Sequence, residues 1–114
     1  MITLTAQLTM RAGKERLALA RIAAVKEQAD REQPGTLLYL VHRVLNEKGR
    51  PTAGVLFYEC YADKPALDAH LASSSWKTLT ARWAECFEGT PKVGDGIAMT
   101  SLKRIAGFVH LQAP

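Results

Sequence analysis

Two residues suited to chemistry, Glu59 and His70, lie in the aromatic-rich stretch between Phe57 and Trp76. A neutral imidazole can take a proton near neutral pH, and His70 is the only histidine in a predicted helix, which makes it our candidate catalytic residue. A helix histidine that bonds a nearby carbonyl or carboxylate would be the structural alternative. Glu59 lies within an apolar strand, where a carboxylate must be paired, hydrogen-bonded or shifted in pKa. We interpret it as a structural or dimer anchor rather than a catalytic group.

Aromatic side chains flank these two residues and predict a substrate-binding surface. Flat apolar rings pack well against an aromatic or polycyclic ligand. An aromatic stripe at helical spacing is also typical of plain core, and the sequence leaves both interpretations open. The predicted substrate-binding residues are Tyr39, Tyr61, Trp76, Trp83 and Phe87.

The composition indicates one domain over residues 1–114, with a short C-terminal tail over 105–114. The chain has a mass of 12.5 kDa and is 47% hydrophobic, which is enough to bury a core without a metal or disulfide. Its net charge of +4 comes from basic residues interleaved with acidic ones, which argues against a nucleic-acid partner. Cys60 and Cys86 are predicted to be buried thiols, and we expect a cytoplasmic protein without a membrane partner.

Periodicity predicts the first half of the fold. Apolar residues alternate over residues 2–10 and predict a strand whose second face is rich in threonine. An amphipathic pattern over 14–32 predicts a long helix, which ends at Pro34 and Gly35. Strands over 36–45 and 53–61, joined by a polar turn, form an antiparallel hairpin.

The second half is predicted to hold two helices and a last strand. Asp63 can cap a helix that carries Leu67 and His70 on one side. The serines at 73–75 break it, and a second helix bearing Trp76, Trp83 and Phe87 should run to Gly89. A strand over 93–104 follows. This order predicts an α+β, ferredoxin-like split β-α-β fold with a four-stranded antiparallel sheet. Its uncharged outer face would be buried by pairing two sheets in a homodimer.

These features together resemble the antibiotic biosynthesis monooxygenase superfamily, which includes small quinol monooxygenases. The resemblance covers nearly the whole chain and is carried by short motifs, which are Arg11-Ala12-Gly13, Pro34-Gly35-Thr36, Glu59-x-Tyr61 and Ala66-Leu67-x-Ala69-His70-Leu71. It implies a dimeric α+β barrel with a pocket between helices and sheet. It also implies oxidation of a phenolic or quinol-type aromatic by O2 without flavin, haem or metal, and His70 would be the base or a positioning donor.

Three functions therefore compete. The leading one is a cofactor-independent monooxygenase for a small phenol or quinol. The second is a non-catalytic dimeric module that binds a hydrophobic metabolite, and the third is a lactone or polyketide isomerase on the same fold.

Overall fold

The computed structural model describes residues 1–110 and has an α+β architecture with four antiparallel strands. The strands are β1 (Ile2–Thr9), β2 (Thr36–Leu45), β3 (Pro51–Tyr61) and β4 (Ala98–Leu102). Their order in the sheet is β2-β3-β1-β4, which confirms the predicted ferredoxin-like topology. Residues 111–114, the end of the predicted tail, lie outside the described residues.

Three α-helices cover one face of the sheet: α1 (Glu15–Glu32), α2 (Lys64–Leu71) and α3 (Ser74–Ala81). The predicted apolar stripe of α1 is buried along its whole length, and it consists of Ala18, Ile22, Val25 and Ala29. At the start of α2, the carboxylate of Asp63 accepts a hydrogen bond from the Ala66 N–H at 2.9 Å, as a helix cap should. None of the helices within residues 1–110 is long and apolar enough to span a bilayer.

The helix predicted to continue to Gly89 ends at Ala81 instead. A single turn of 3₁₀ helix, Trp83–Glu85, follows it. The cause is pairing beyond the end of β1, where the Arg11 N–H donates to the Cys86 carbonyl and the Glu88 N–H donates to the Thr9 carbonyl. A backbone engaged in these bonds cannot also continue a helix.

The last strand is also shorter than predicted, because residues 90–96 form a loop that is held by hydrogen bonds between its own residues. The Thr90 hydroxyl donates to Asp95 at 2.5 Å, and the Gly96 N–H donates to the Thr90 carbonyl at 2.9 Å. A Cβ at Gly96 would lie 2.2 Å from that carbonyl oxygen, so the loop requires glycine there. The predicted alternation survives in β4, where Met99 and Ser101 face the helices.

A close contact fixes α2 against the start of β2. A Cβ added at Gly35 would lie 2.6 Å from the Cβ of Ala66, and the Gly35 carbonyl accepts a hydrogen bond from the Ala62 N–H. The Pro34-Gly35 turn thus sets the position of the helix that carries His70.

Candidate active site

A cavity of about 290 Å³ lies between the sheet and the helices. Strands β1 and β4 form one wall with mostly aliphatic side chains, because these residues share the parity that faces the helices. The side chains of this wall are Ile2, Leu4, Ala6, Leu8, Met99 and Ser101. The volume is close to the lower end of the range for small-molecule pockets, about 300–1,000 Å³.

The helices and the other strands complete the cavity. Tyr39 and Glu59 are cross-strand neighbours on β2 and β3, and Phe57 lies beside them. Opposite these, α2 and α3 supply Leu67, His70, Leu71 and Trp76, and the loop before β4 supplies Val93 and Ile97. The wall formed by residues 1–110 contains no lysine or arginine, so its ionisable groups are Glu59, His70 and Tyr39.

The imidazole of His70 is held in one tautomer. Its Nδ1 lies 2.8 Å from Oε1 of Gln33, which also accepts a bond from the Thr36 hydroxyl. Because that oxygen is an acceptor, Nδ1 carries the proton and Nε2 keeps its lone pair. Among residues 1–110, every side-chain nitrogen or oxygen that is completely shielded from solvent has a hydrogen-bond partner. Nε2 of His70 has no partner among these residues. Nε2 is therefore not completely shielded, and it is accessible to a ligand.

Burial controls the charge of His70. The side chain is 2% exposed, and this burial lowers its pKa from 6.5 to about 4. Aromatic rings enclose it, with ring centroids at 5.1 Å for Tyr39, 5.6 Å for Tyr61 and 6.1 Å for Trp76. His70 is therefore a neutral hydrogen-bond acceptor at pH 7.

Glu59 faces the same cavity from the sheet. One carboxylate oxygen, Oε1, accepts a hydrogen bond from the Tyr61 hydroxyl. Burial raises the pKa of Glu59, and the hydrogen bond from Tyr61 opposes that rise. The charge of Glu59 in turn contributes to the raised pKa values of Tyr39 and Tyr61. Carboxylate and imidazole thus approach one apolar cavity from opposite walls.

Comparison with known proteins identifies the family. The family model named antibiotic biosynthesis monooxygenase matches residues 1–82. The chain belongs to this family. The matched segment includes Glu59, His70 and Trp76, whereas Met99 and Ser101 of the cavity wall lie beyond it. No curated protein sequence matches the chain.

Solved structures show the fold that the chain shares with this family. A crystal structure of an antibiotic biosynthesis monooxygenase is 19% identical, with a TM-score of 0.70, and the match covers 93% of this chain and 100% of that one. The protein PA3566 from Pseudomonas aeruginosa is 18% identical, with a TM-score of 0.74 and coverage of 92% and 94%. Rv0793 from Mycobacterium tuberculosis is 19% identical, with a TM-score of 0.70 and coverage of 93% and 96%.

The structure of this antibiotic biosynthesis monooxygenase family member divides the predicted site residues into two groups. His70, Tyr39 and Trp76 line the cavity. Tyr61 is fully buried behind it and reaches the site through Glu59. Trp83 and Phe87 do not line the cavity, because they stack on each other with ring centroids 4.6 Å apart inside the core.

The role of dimer anchor predicted for Glu59 does not fit its position. Its side chain lies on the helix-covered face with Phe57 and Tyr61, whereas a sheet-to-sheet dimer would use the opposite face. Glu59 was also predicted to be a structural anchor of its strand, and the hydrogen bond that it accepts from Tyr61 on the same strand is consistent with that role. Glu59 therefore faces the cavity rather than the sheet face opposite the helices.

Sequence reasoning missed two polar residues of the site in this family member. Gln33 fixes the tautomer of His70, but a glutamine at a helix end carries no signal of such a role. Ser101 adds a hydroxyl to the β4 wall, and its alternation with Thr100 and Leu102 could have placed it on the helix-covered face.

Proposed function

We propose that the chain is a cofactor-independent monooxygenase that oxidises a small phenolic or quinol-type aromatic with O2. One observation carries the proposal, which is that a neutral imidazole and a carboxylate face the same small apolar cavity. Such a site can bind a flat ring, hold its hydroxyl group and remove the hydroxyl proton.

The substrate itself supplies the electrons. Loss of the hydroxyl proton gives an electron-rich aromatic anion, which passes electrons to O2. One oxygen atom enters the product in place of two hydrogens, and the other leaves with those two hydrogens as water. A quinol and O2 therefore give a hydroxyquinone and water, and the balance requires no separate reductant.

The roles of the site residues follow from their positions. His70 is the proposed catalytic residue, since Nε2 can accept a hydrogen bond from a ligand hydroxyl. The rings of Tyr39 and Trp76 pack on the ligand. Tyr61 and Gln33 do not line the cavity, and they act by positioning Glu59 and His70.

Oxygen uptake with a panel of hydroquinones and anthrones tests this function. We expect wild type to consume O2 and His70→Ala to lose about 100-fold in kcat/KM, since the ligand is no longer held. His110→Ala is the matched control, because His110 is exposed and lies outside the sheet, and it should keep the wild-type rate. No uptake by wild type with any member of the panel would reject the proposal.

A binding module without catalysis is the second candidate. The observation in its favour is that nearly all of the cavity wall is aliphatic or aromatic, which suits retention of a hydrophobic metabolite. Saturable binding of panel members without oxygen uptake would support it over the monooxygenase.

We further propose that the chain forms a homodimer through the sheet face opposite the helices. Leucines and a tyrosine lie on this face, and the group comprises Leu38, Leu40, Leu56, Tyr58 and Leu102. The Arg104 guanidinium donates to the Tyr58 hydroxyl there at 3.1 Å. Leu40 is 46% exposed, and pairing two such faces would bury it.

Sedimentation tests the dimer. Leu40→Glu should convert a dimer into monomers at micromolar concentration, because a charge would enter the interface. Leu17→Glu, at an exposed position of α1, should leave the dimer intact. Sedimentation of wild type as a monomer would refute this arrangement.

A further inference from the structure

Glu59 is the acidic side chain that residues 1–110 place in the cavity wall, and the proposed function leaves its role open. Its Oε1 accepts from Tyr61, but Oε2 has no hydrogen-bond partner among residues 1–110. Among residues 1–110, every polar side-chain atom that is completely shielded from solvent has a hydrogen-bond partner. Oε2 is therefore open to whatever occupies the cavity.

A purely structural role does not explain an acid at this position. Glutamine could accept the same hydrogen bond from Tyr61 without the cost of burying a charge. Within the described part of the chain, residues 1–110, no lysine or arginine lines the cavity to offset this cost. Burying an ionised carboxylate thus costs more free energy than accepting the Tyr61 hydrogen bond requires, which indicates a functional role for the acid itself.

His70 is a poor recipient for the substrate proton. Transfer of a phenolic proton to the neutral imidazole would create a cation and an anion together in an apolar cavity, and burial already lowers the pKa of His70. Burial raises the pKa of Glu59, which makes its carboxylate a stronger base than an ordinary one. Transfer to Glu59 also keeps the net charge of the site constant and spreads it over an aromatic ring.

We propose that Glu59 is the proton acceptor of this site and that it restricts the ligands to neutral hydroxyaromatics. The inference rests on the proposed function and names its base and its substrate class. The O–H bond of the ligand breaks, the proton moves to Oε2 of Glu59, and the electron pair stays on the ligand oxygen. Tyr61 keeps its hydrogen bond to Oε1, and Nε2 of His70 holds a quinol by accepting a hydrogen bond from its second hydroxyl group.

The same geometry predicts which ligands are rejected. An anionic ligand would lie beside the Glu59 carboxylate in a wall without basic side chains, and like charges repel strongly in an apolar site. A neutral naphthol should therefore bind, whereas a naphthoate of similar size should bind poorly.

The test compares wild type with Glu59→Gln, using Glu85→Gln as the matched control. Glu85 lies outside the cavity, where it accepts bonds from Arg21 and Arg82. The binding probes are 1-naphthol and 1-naphthoic acid at pH 7. Glu59→Gln should raise naphthoate affinity about tenfold or more, because a like charge is removed, and Glu85→Gln should leave both affinities unchanged.

The second measurement is the pH profile of oxygen uptake with the best quinol. Glu59→Gln should lose about 100-fold or more of kcat/KM, together with the acid limb of the profile, and Glu59→Asp should restore part of both. A Glu59→Gln variant that keeps the wild-type rate, profile and naphthoate rejection would overturn the inference.

The two proposals fail in different ways. If wild type consumes no O2 with any quinol but Glu59→Gln still admits naphthoate, the monooxygenase fails and Glu59 remains the ligand-selecting group. If wild type turns over and Glu59→Gln does so equally, the role of Glu59 as base fails and the monooxygenase stands.

Discussion

Two aromatic regions lie between the helices and the sheet, and they differ in what their polar atoms do. In the packed region, Trp83 and Phe87 are 3% and 0% exposed, and the indole N–H of Trp83 donates to the Glu88 carbonyl at 3.0 Å. In the cavity region, Tyr39 and Trp76 surround an open space, and Nε2 of His70 lacks a partner among the described residues.

The availability of polar atoms distinguishes the cavity region from the packed region. Both regions present aromatic side chains at regular spacing, so aromatic content alone does not distinguish them. In the packed region the aromatic side chains stabilise the folded state through their packing and the hydrogen bond of Trp83. In the cavity region, buried polar atoms are left available, and available polar atoms in an apolar cavity are what a ligand with a hydroxyl group can use.

The largest predicted effect is on the packed region. Trp83→Ala should lower the free energy of unfolding by about 3–5 kcal/mol, because it empties a filled part of the core. Trp76→Ala should cost clearly less, since Trp76 is only half-buried beside an existing cavity. Urea denaturation of both variants measures the difference. Equal losses would contradict the distinction between the two regions.

The pH dependence of stability should report the burial of His70. Its pKa is about 4 in the folded protein against 6.5 for an unperturbed histidine, which represents the unfolded chain. As pH falls from 6.5 to 4, the histidine is protonated in the unfolded chain but still neutral in the folded one. The free energy of unfolding therefore falls progressively from its value above pH 6.5. The loss should be about 3 kcal/mol.

A matched pair of variants isolates this contribution. Glu59 lines the same cavity and contributes with the opposite sign in acid, so both chains should carry Glu59→Gln. Urea denaturation from pH 4 to 7 should then show a steep slope with His70 and a flatter one with His70→Gln. Identical slopes would mean that His70 is not desolvated.

Glu59→Gln should itself stabilise the fold at neutral pH. The raised pKa means that Glu59 favours folding at pH values below 4.5 and that this advantage is lost as pH rises through its folded pKa. Removing the charge should therefore raise the free energy of unfolding at pH 7. Thermal melts at pH 7 and pH 4 would measure a gain that disappears in acid. A loss at pH 7 would contradict a buried carboxylate that has no basic partner among residues 1–110.

The smallest effect is expected at Glu85. Its bonds with Arg21 and Arg82 lower its pKa, but the pair lies at the surface, where water and salt screen it. Glu85→Gln should change thermal stability slightly and downward, and added salt should shrink the change. A stabilisation like that expected for Glu59→Gln would show that the two carboxylates do not differ as described.

The sequence predicted the elements because their signals are local. Alternation identified the strands, the apolar stripe identified α1, and Asp63 marked the start of α2. The errors near Ala81 and Val93 arose where backbone groups bond across the chain, which no local pattern records. Residue type and spacing predicted His70 and Trp76 as site residues, and both line the cavity.

The environment of the site could not be predicted in the same way. Whether Glu59 faces a cavity or a partner depends on which sheet face the helices cover. The bond from His70 to Gln33 joins residues on α2 and at the end of α1, and only the folded chain brings them together. The pKa values of both groups follow from burial, which is a property of the whole fold.

The two tryptophans provide the most direct test that the cavity is the ligand site. Their indole N–H groups give two signals in a ¹H–¹⁵N spectrum, which Trp83→Phe assigns. Titration with 1-naphthol should shift the Trp76 signal saturably and leave the Trp83 signal unchanged. Movement of the Trp83 signal alone, or of neither signal, would contradict binding between β1, α2 and α3.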